Sequence, residues 1–233
     1  MSDPIFPAAD PDLPATLDAC RRCGLWESAT RPVAGAGPRR AAIMLVGEQP
    51  GGHEDRTGRP FGGTAGRLLD RALTEASLAR SEIYTTYALK HVKRGAPGGH
   101  VGDTAPTRHE IDACRYWLER EIRSVAPRVI VAFGAAALRA VLDDPDAVVH
   151  RMPLPYRLSG GERVIATLAP AQVLRTRGAD SRERAWQQIV EALRAARRLA
   201  QTADEAAPPG GPRAHAPSAV WIDPAGGGPA WLA

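Results

Sequence analysis

The sequence predicts an α/β fold, three layers deep (α/β/α), with helices on both faces of a central four-stranded, mainly parallel sheet. Two observations carry this. Four short apolar runs, Ala42 to Gly47, Ile83 to Tyr87, Val129 to Gly134 and Val164 to Leu168, read as strands buried on both sides. Segments of helical periodicity stand between and after them, and that alternation favours a parallel sheet with its functional loops at the carboxyl ends of the strands.

The elements follow in order. The first run passes into Glu48-Gln49-Pro50-Gly51, a tight turn rich in residues that cannot continue a strand. Thr64 to Ser77 sets Leu68, Leu69 and Leu73 on one side of a helix before the second run. Arg108 to Val125 is a helix opened by Thr107 as N-cap, with Glu110 three residues on as a capping box requires. Ala135 to Leu142 follows the third run, and Ser181 to Leu199 closes the pattern. From about Thr202 the chain turns to Ala, Pro and Gly, which cannot build a packed core. The expected organisation is a flexible amino terminus over 1–12, one domain over 13–201 and a disordered tail over 202–233.

At 233 residues with 44% apolar content, one core of ordinary size is expected. The net charge of +4 and the pI of about 9.3 permit a polyanionic partner without requiring one. Lys90 and Lys93 are the two lysines among 30 cationic residues, so arginine carries most of the positive charge. No stretch nears the roughly 20 apolar residues of a membrane span, and Met1 to Pro14 lacks a basic flank with an apolar core. A cytoplasmic protein without membrane contact is expected. In a reducing compartment three cysteines point to metal, redox chemistry or plain burial rather than to a disulfide framework.

The most informative words are Met44-Leu45-Val46-Gly47-Glu48-Gln49-Pro50-Gly51 and then Asp55-Arg-Thr-Gly-Arg-Pro-Phe61. An apolar strand runs into a loop bearing one carboxylate and one carboxamide, and an aromatic follows on a Gly/Pro-stiffened turn. Cleaving an N-glycosidic bond needs negative charge near an oxocarbenium-like sugar, a placed water or nucleophile, and donors for the departing base. This wording resembles the first motif of the uracil-DNA glycosylase superfamily, in the GEQPG form of the UdgX-like branch. The resemblance covers about Leu13 to Leu199 and implies a uracil-DNA glycosylase-like fold.

By that resemblance Glu48 stabilises the sugar cation or orients water, and Gln49 positions water or the base. Gly47, Pro50 and Gly51 shape the pocket, and Phe61 stacks on a flipped base. Plainer readings stand beside these: a solvated turn for Glu48 and Gln49, core packing for Phe61. Two base-reading positions depart from the family. Tyr87 stands where the family's second strand carries an Asn, and a phenol cannot offer the paired donor and acceptor of an amide. Ala169, in Ala169-Pro170-Ala171, stands where a His-Pro-Ser motif places its histidine, a loss worth about 100- to 1000-fold in rate for one preorganised donor. Beyond it, Leu174 is a candidate wedge into the base stack or simple packing.

In the UdgX-like branch a loop histidine attacks the sugar. Here Asp103 falls at that place and His100 lies three residues earlier. An ester of Asp103 with the sugar carbon would turn over rather than persist; both residues also read as ordinary polar loop positions. Lys93, Arg94, His100, Leu174 and Arg175 make up the candidate DNA contacts, with Lys90 and Arg177 adding to a basic rim that equally suits a solvated surface.

Cys20-Arg-Arg-Cys23 puts two thiols within reach of one metal, and Cys114 lies far along the chain. The resemblance supplies a fourth ligand, His91 of Lys90-His91. Cys20, Cys23, His91 and Cys114 then imply a structural [4Fe-4S] cluster, with zinc or no metal as the alternatives. The implied partner is DNA, single-stranded by preference, engaged by a monomer. Three functions stay open: cleavage of the glycosidic bond of a uracil-like or other altered base, base recognition without catalysis, and N-glycosidase action on a free nucleoside or nucleotide.

Overall fold

The computed structural model describes residues 14–95, 104–150, 155–205 and 220–221. Its sheet has six strands: β1 (Ile43–Gly47), β2 (Ile83–Tyr87), β3 (Val129–Phe133), β4 (Pro155–Arg157), β5 (Arg163–Thr167) and β6 (Val220–Trp221), in the order β2-β1-β3-β5-β4-β6. The four expected strands pair in parallel; β4 and β6 add an antiparallel margin beyond β5. The four-stranded sheet of the sequence reading is thus the parallel part of a wider one. Three residues opening on a proline were too short a signal for β4; Pro155 stands at the first position of the strand, where a proline is tolerated, and β6 pairs only with the two residues after it.

Strands β1 and β3 are buried at all five positions, as a sheet covered on both faces demands. Alternation divides their side chains between two cores. Met44, Val46, Ile130 and Ala132 face α3 (Arg108–Val125) and α4 (Ala135–Leu142). Ile43, Leu45, Val131 and Phe133 face α2 (Thr64–Glu75), α5 (Pro170–Arg175) and α6 (Ala179–Glu205). This is the three-layer arrangement expected.

The Thr107 capping box of α3 is present: Thr107 Oγ1 accepts from the Glu110 amide at 3.3 Å, and Glu110 Oε2 accepts from the Thr107 amide at 2.7 Å. Two short helices, α1 (Gly52–Thr57) and α5, went unread because six residues carry less than two turns of periodicity. Helix α6 begins two residues before the expected Ser181 and continues beyond Leu199 to Glu205. Val220 and Trp221, inside the expected tail, pair with β4 through their backbone.

The chain leaves β1 for β2 on one side and returns to β3 on the other, with α2 and α3 on opposite faces. The loops after β1 and β3 therefore diverge, opening a crevice at the carboxyl end of β1. The outer edge of β2 meets a segment preceding β1: the Ala36 and Thr85 backbones exchange bonds of 2.9 and 2.8 Å, and the Val33 amide donates to the Lys90 carbonyl at 2.7 Å. Among the described residues no helix is long and apolar enough to cross a membrane.

Candidate active site

The crevice is built on Gly47, Glu48 and Gln49. Glu48 turns toward the start of α4, where its Oε1 accepts the Ala136 amide at 3.0 Å. Gly134, at φ 93°, makes this approach possible, since a Cβ there would lie 2.4 Å from the Glu48 carboxyl carbon. Burial raises the Glu48 carboxyl above its ordinary range, against the Ala136 amide and the charges of Arg175 and Arg139, which pull it down. A half-buried carboxylate near an arginine at the end of α5 is a fitting neighbour for positive charge developing on a sugar.

Gln49 is held at both ends of its amide. Nε2 donates to the Thr104 carbonyl at 2.9 Å and Oε1 accepts the Lys93 amide at 3.2 Å, so the side chain joins the β1 turn to the segments on either side of residues 96–103. Asp103 and His100 lie outside the described residues.

Phe61 and Tyr87 depart from expectation. Phe61 is buried, and its ring is stacked on Tyr87 with centroids 4.7 Å apart and planes 21° apart. The Phe61 amide donates to the Tyr87 hydroxyl at 3.0 Å, while Phe133 meets the Phe61 ring edge-on at 6.2 Å. One face of the ring expected to stack on a base is covered by the residue standing in the Asn position. Gly47 makes room for that phenol, because a Cβ on it would lie 2.7 Å from two Tyr87 ring carbons.

Ala169, buried at the start of α5, contributes a methyl group and an amide that donates to Gln172 Oε1 at 2.8 Å. Pro50 is buried behind the turn. Two surface grooves among the described residues, one of about 410 Å³ bounded by Arg22, Arg108, Arg115 and Tyr116 and one of about 120 Å³ beside Pro106 and Arg139, lie apart from Glu48, Phe61 and Tyr87, which line neither.

Two buried acids and one half-buried acid organise this region, and sequence reasoning missed them. Glu54 accepts the Gly51 amide at 3.1 Å and the Gly63 amide at 2.8 Å, tying the two glycine loops together. Asp55, 1% exposed, accepts from the Thr30 amide and hydroxyl and from Arg94 Nη2 at 2.9 Å. Glu121 gathers the Thr86 hydroxyl at 2.6 Å, Lys90 Nζ at 2.7 Å and the Gly35 amide at 2.9 Å. Apart from Glu54 following a glycine N-cap, nothing in the spacing marked them.

A profile of the Uracil DNA glycosylase superfamily matches residues 34–194. The chain belongs to that superfamily. It is 36% identical over 174 residues to a type-4 uracil-DNA glycosylase of Thermotoga maritima, covering 74% of this chain and 87% of the relative. It is 34% identical over 132 residues to a type-4 enzyme of Archaeoglobus fulgidus, covering 57% and 63%. A type-5 uracil-DNA glycosylase of Thermus thermophilus is 32% identical over 214 residues, covering 78% and 95%.

For a member of the uracil-DNA glycosylase superfamily, the charges read as a DNA rim need revision. Lys90 is fully buried, its Nζ also donating to the Thr86 hydroxyl at 2.7 Å and the Tyr87 carbonyl at 2.8 Å. Lys93 is paired with Glu110 at 2.8 Å, and Arg94 with Asp55 and the Ser28 carbonyl. These cations answer buried or capping carboxylates rather than a phosphate backbone. Leu174, 44% exposed, and the exposed Arg175 and Arg177 on and just after α5 remain at the surface.

The expected metal ligands are all buried: Cys20, Cys23, His91 and Cys114. Burial and the charge of Arg21 push the His91 imidazole below its ordinary value, which keeps it neutral. The Cys114 thiol contacts Cys23, holding the Cys23 thiol down at about 6, while that same contact and burial push Cys114 up. Three thiols and a neutral imidazole suit a soft metal chemically. Their placement does not complete a site: among the described residues no three His, Cys, Asp or Glu side chains are grouped to hold a metal ion, although Cys23 and Cys114 meet.

Proposed function

We propose that this chain is a DNA glycosylase-type protein that engages an extruded, damaged nucleotide, uracil-like or otherwise altered, in single-stranded DNA and acts as a monomer. The observation that carries this reading is the Glu48 carboxylate, set at the carboxyl end of β1 and aimed by the α4 amino terminus. Relatives named uracil-DNA glycosylases support the substrate class. In this reading Glu48 faces the sugar, Gln49 orders the adjoining segments, Leu174 wedges the stack and Arg175 meets phosphate. Asp103 and His100 would complete the site from the neighbouring loop.

The test is a panel of single-stranded oligonucleotides bearing uracil, hypoxanthine or xanthine, with the corresponding free nucleosides alongside. Abasic sites that form with the native chain and vanish with Glu48→Ala are the expected result. Release from nucleosides alone would move the substrate from DNA to the free nucleoside. A second reading, lesion recognition without cleavage, is favoured by the Tyr87–Phe61 stack and the methyl of Ala169. Retained binding without release from any base would select it.

We also propose that Cys20, Cys23, His91 and Cys114 hold a [4Fe-4S] cluster, supported by their donor chemistry and burial. The group would serve as a crosslink between the amino-terminal segment, the loop after β2 and α3. Protein purified without oxygen is expected to be brown and to carry iron and sulfide, and His91→Ala to lose both. A colourless preparation holding zinc would replace the cluster.

A further inference from the structure

We propose that Tyr87 is a built-in occupant of the base seat, and that the ligand fitting the remaining site is a deoxyribose with no base: an abasic position in a DNA strand. The inference rests on the second reading of this crevice, lesion recognition without cleavage, and deepens it by naming the lesion, since an abasic sugar has no glycosidic bond left to cleave.

The phenol has the shape of what it displaces. It is a flat six-membered ring, lying 4.7 Å from Phe61 at 21°, the geometry in which a pyrimidine stacks on an aromatic side chain. Its hydroxyl accepts the Phe61 amide, so that backbone N–H is not offered to a base edge.

The ring is keyed in from both sides. Tyr87 is registered opposite Gly47 at the end of the β1–β2 ladder, and the missing Cβ of Gly47 is the space the ring fills. Phe61 adopts φ 53°, and Gly66 lets its carbonyl sink against α2, where a Cβ would lie 1.7 Å from that oxygen. Lys90 Nζ, buried and bonded to the Tyr87 carbonyl, fixes the backbone from below.

A base brought to the face of Phe61 that Tyr87 covers must expel a side chain that is 5% exposed and hydrogen-bonded. A sugar without a base makes no such demand, and Glu48, on which the Arg175 charge acts, stays at the carboxyl end of β1. Tyr87 therefore acts as a specificity-determining residue that excludes bases.

Fluorescence anisotropy with three single strands of one sequence, carrying a tetrahydrofuran abasic analogue, uracil or thymine at the centre, tests this. The native chain is expected to bind the abasic strand about tenfold more tightly than the other two, the scale of one base-stacking interaction. Tyr87→Ala opens a ring-sized cavity under Phe61, and is expected to gain uracil affinity by a similar factor, about tenfold. Adding p-cresol, which replaces the lost ring, should reverse that gain.

Equal affinity of the native chain for uracil and abasic strands would overturn the proposal and leave the glycosylase reading standing. No preference for either over thymine would overturn both. Should Tyr87→Ala fail to fold, Tyr87→Asn offers the smaller change, and the native-chain comparison decides alone. A folded variant that gains no uracil affinity also overturns it.

Discussion

Glu121→Ala is expected to lower the unfolding free energy by about 3–5 kcal/mol, the cost of leaving an uncompensated buried charge. Lys90 has no exposed surface, and its ammonium is neutralised by Glu121 Oε2 at 2.7 Å. The other two bonds of Nζ, to Thr86 Oγ1 and the Tyr87 carbonyl, supply dipoles but no counter-charge. Removing the carboxylate also strips the Gly35 amide of its acceptor at 2.9 Å. Urea unfolding followed by circular dichroism reads the effect as a shift in midpoint at constant slope. A loss below about 1 kcal/mol would mean that water reaches Lys90 and that the network is dispensable.

Glu48→Gln is expected to separate chemistry from stability. Base release should fall by about 100- to 1000-fold, as when one preorganised electrostatic group is removed. The fold should gain. Because burial raises the Glu48 carboxyl in the folded chain, the protonated acid is the form that folding favours. Its contribution is then complete below the unfolded carboxylate range and is lost as pH rises through the raised folded value. At neutral pH the anion is a net cost, offset only in part by Ala136, Arg175 and Arg139.

The glutamine oxygen can still accept the Ala136 amide without the charge, so a gain of about 0.5–2 kcal/mol is expected where Glu48 is ionised, shrinking in acid. Thermal unfolding of both proteins across pH checks the sign. A variant less stable than the native chain at neutral pH would show that the anion stabilises α4 through its amino terminus, making Glu48 a cap first.

The parallel sheet was legible because burial on both faces leaves unbroken apolar runs, and Ile43 to Gly47 and Val129 to Phe133 are such runs. The α3 capping box was legible for a local reason: Thr107 and Glu110 are three residues apart and need nothing else. What escaped was non-local. Lys93 and Arg94 looked like free cations because their partners, Glu110 and Asp55, lie 17 and 39 residues away. Lys90 looked exposed because its type usually is, and only the packing of α3 against β2 brings Glu121 over it.

Tyr87 was visible as a phenol in place of a carboxamide. That it would lie flat on Phe61 followed from strand register and from the void beside Gly47, which no single residue reveals. The cysteines show the same limit from the other direction. Spacing named four donors, but spacing carries no information on whether Cys23 turns toward a metal or toward Cys114.

Parallel sheets carry a hazard at their flanks, where dangling amides and carbonyls invite a stranger's strand to zip alongside. On the β2 flank Val33 and Ala36 already answer Lys90 and Thr85, and on the opposite flank β4 and β6 fold back antiparallel. Such hemming discourages this protein from polymerising sideways through its own backbone, whatever ligand its crevice holds.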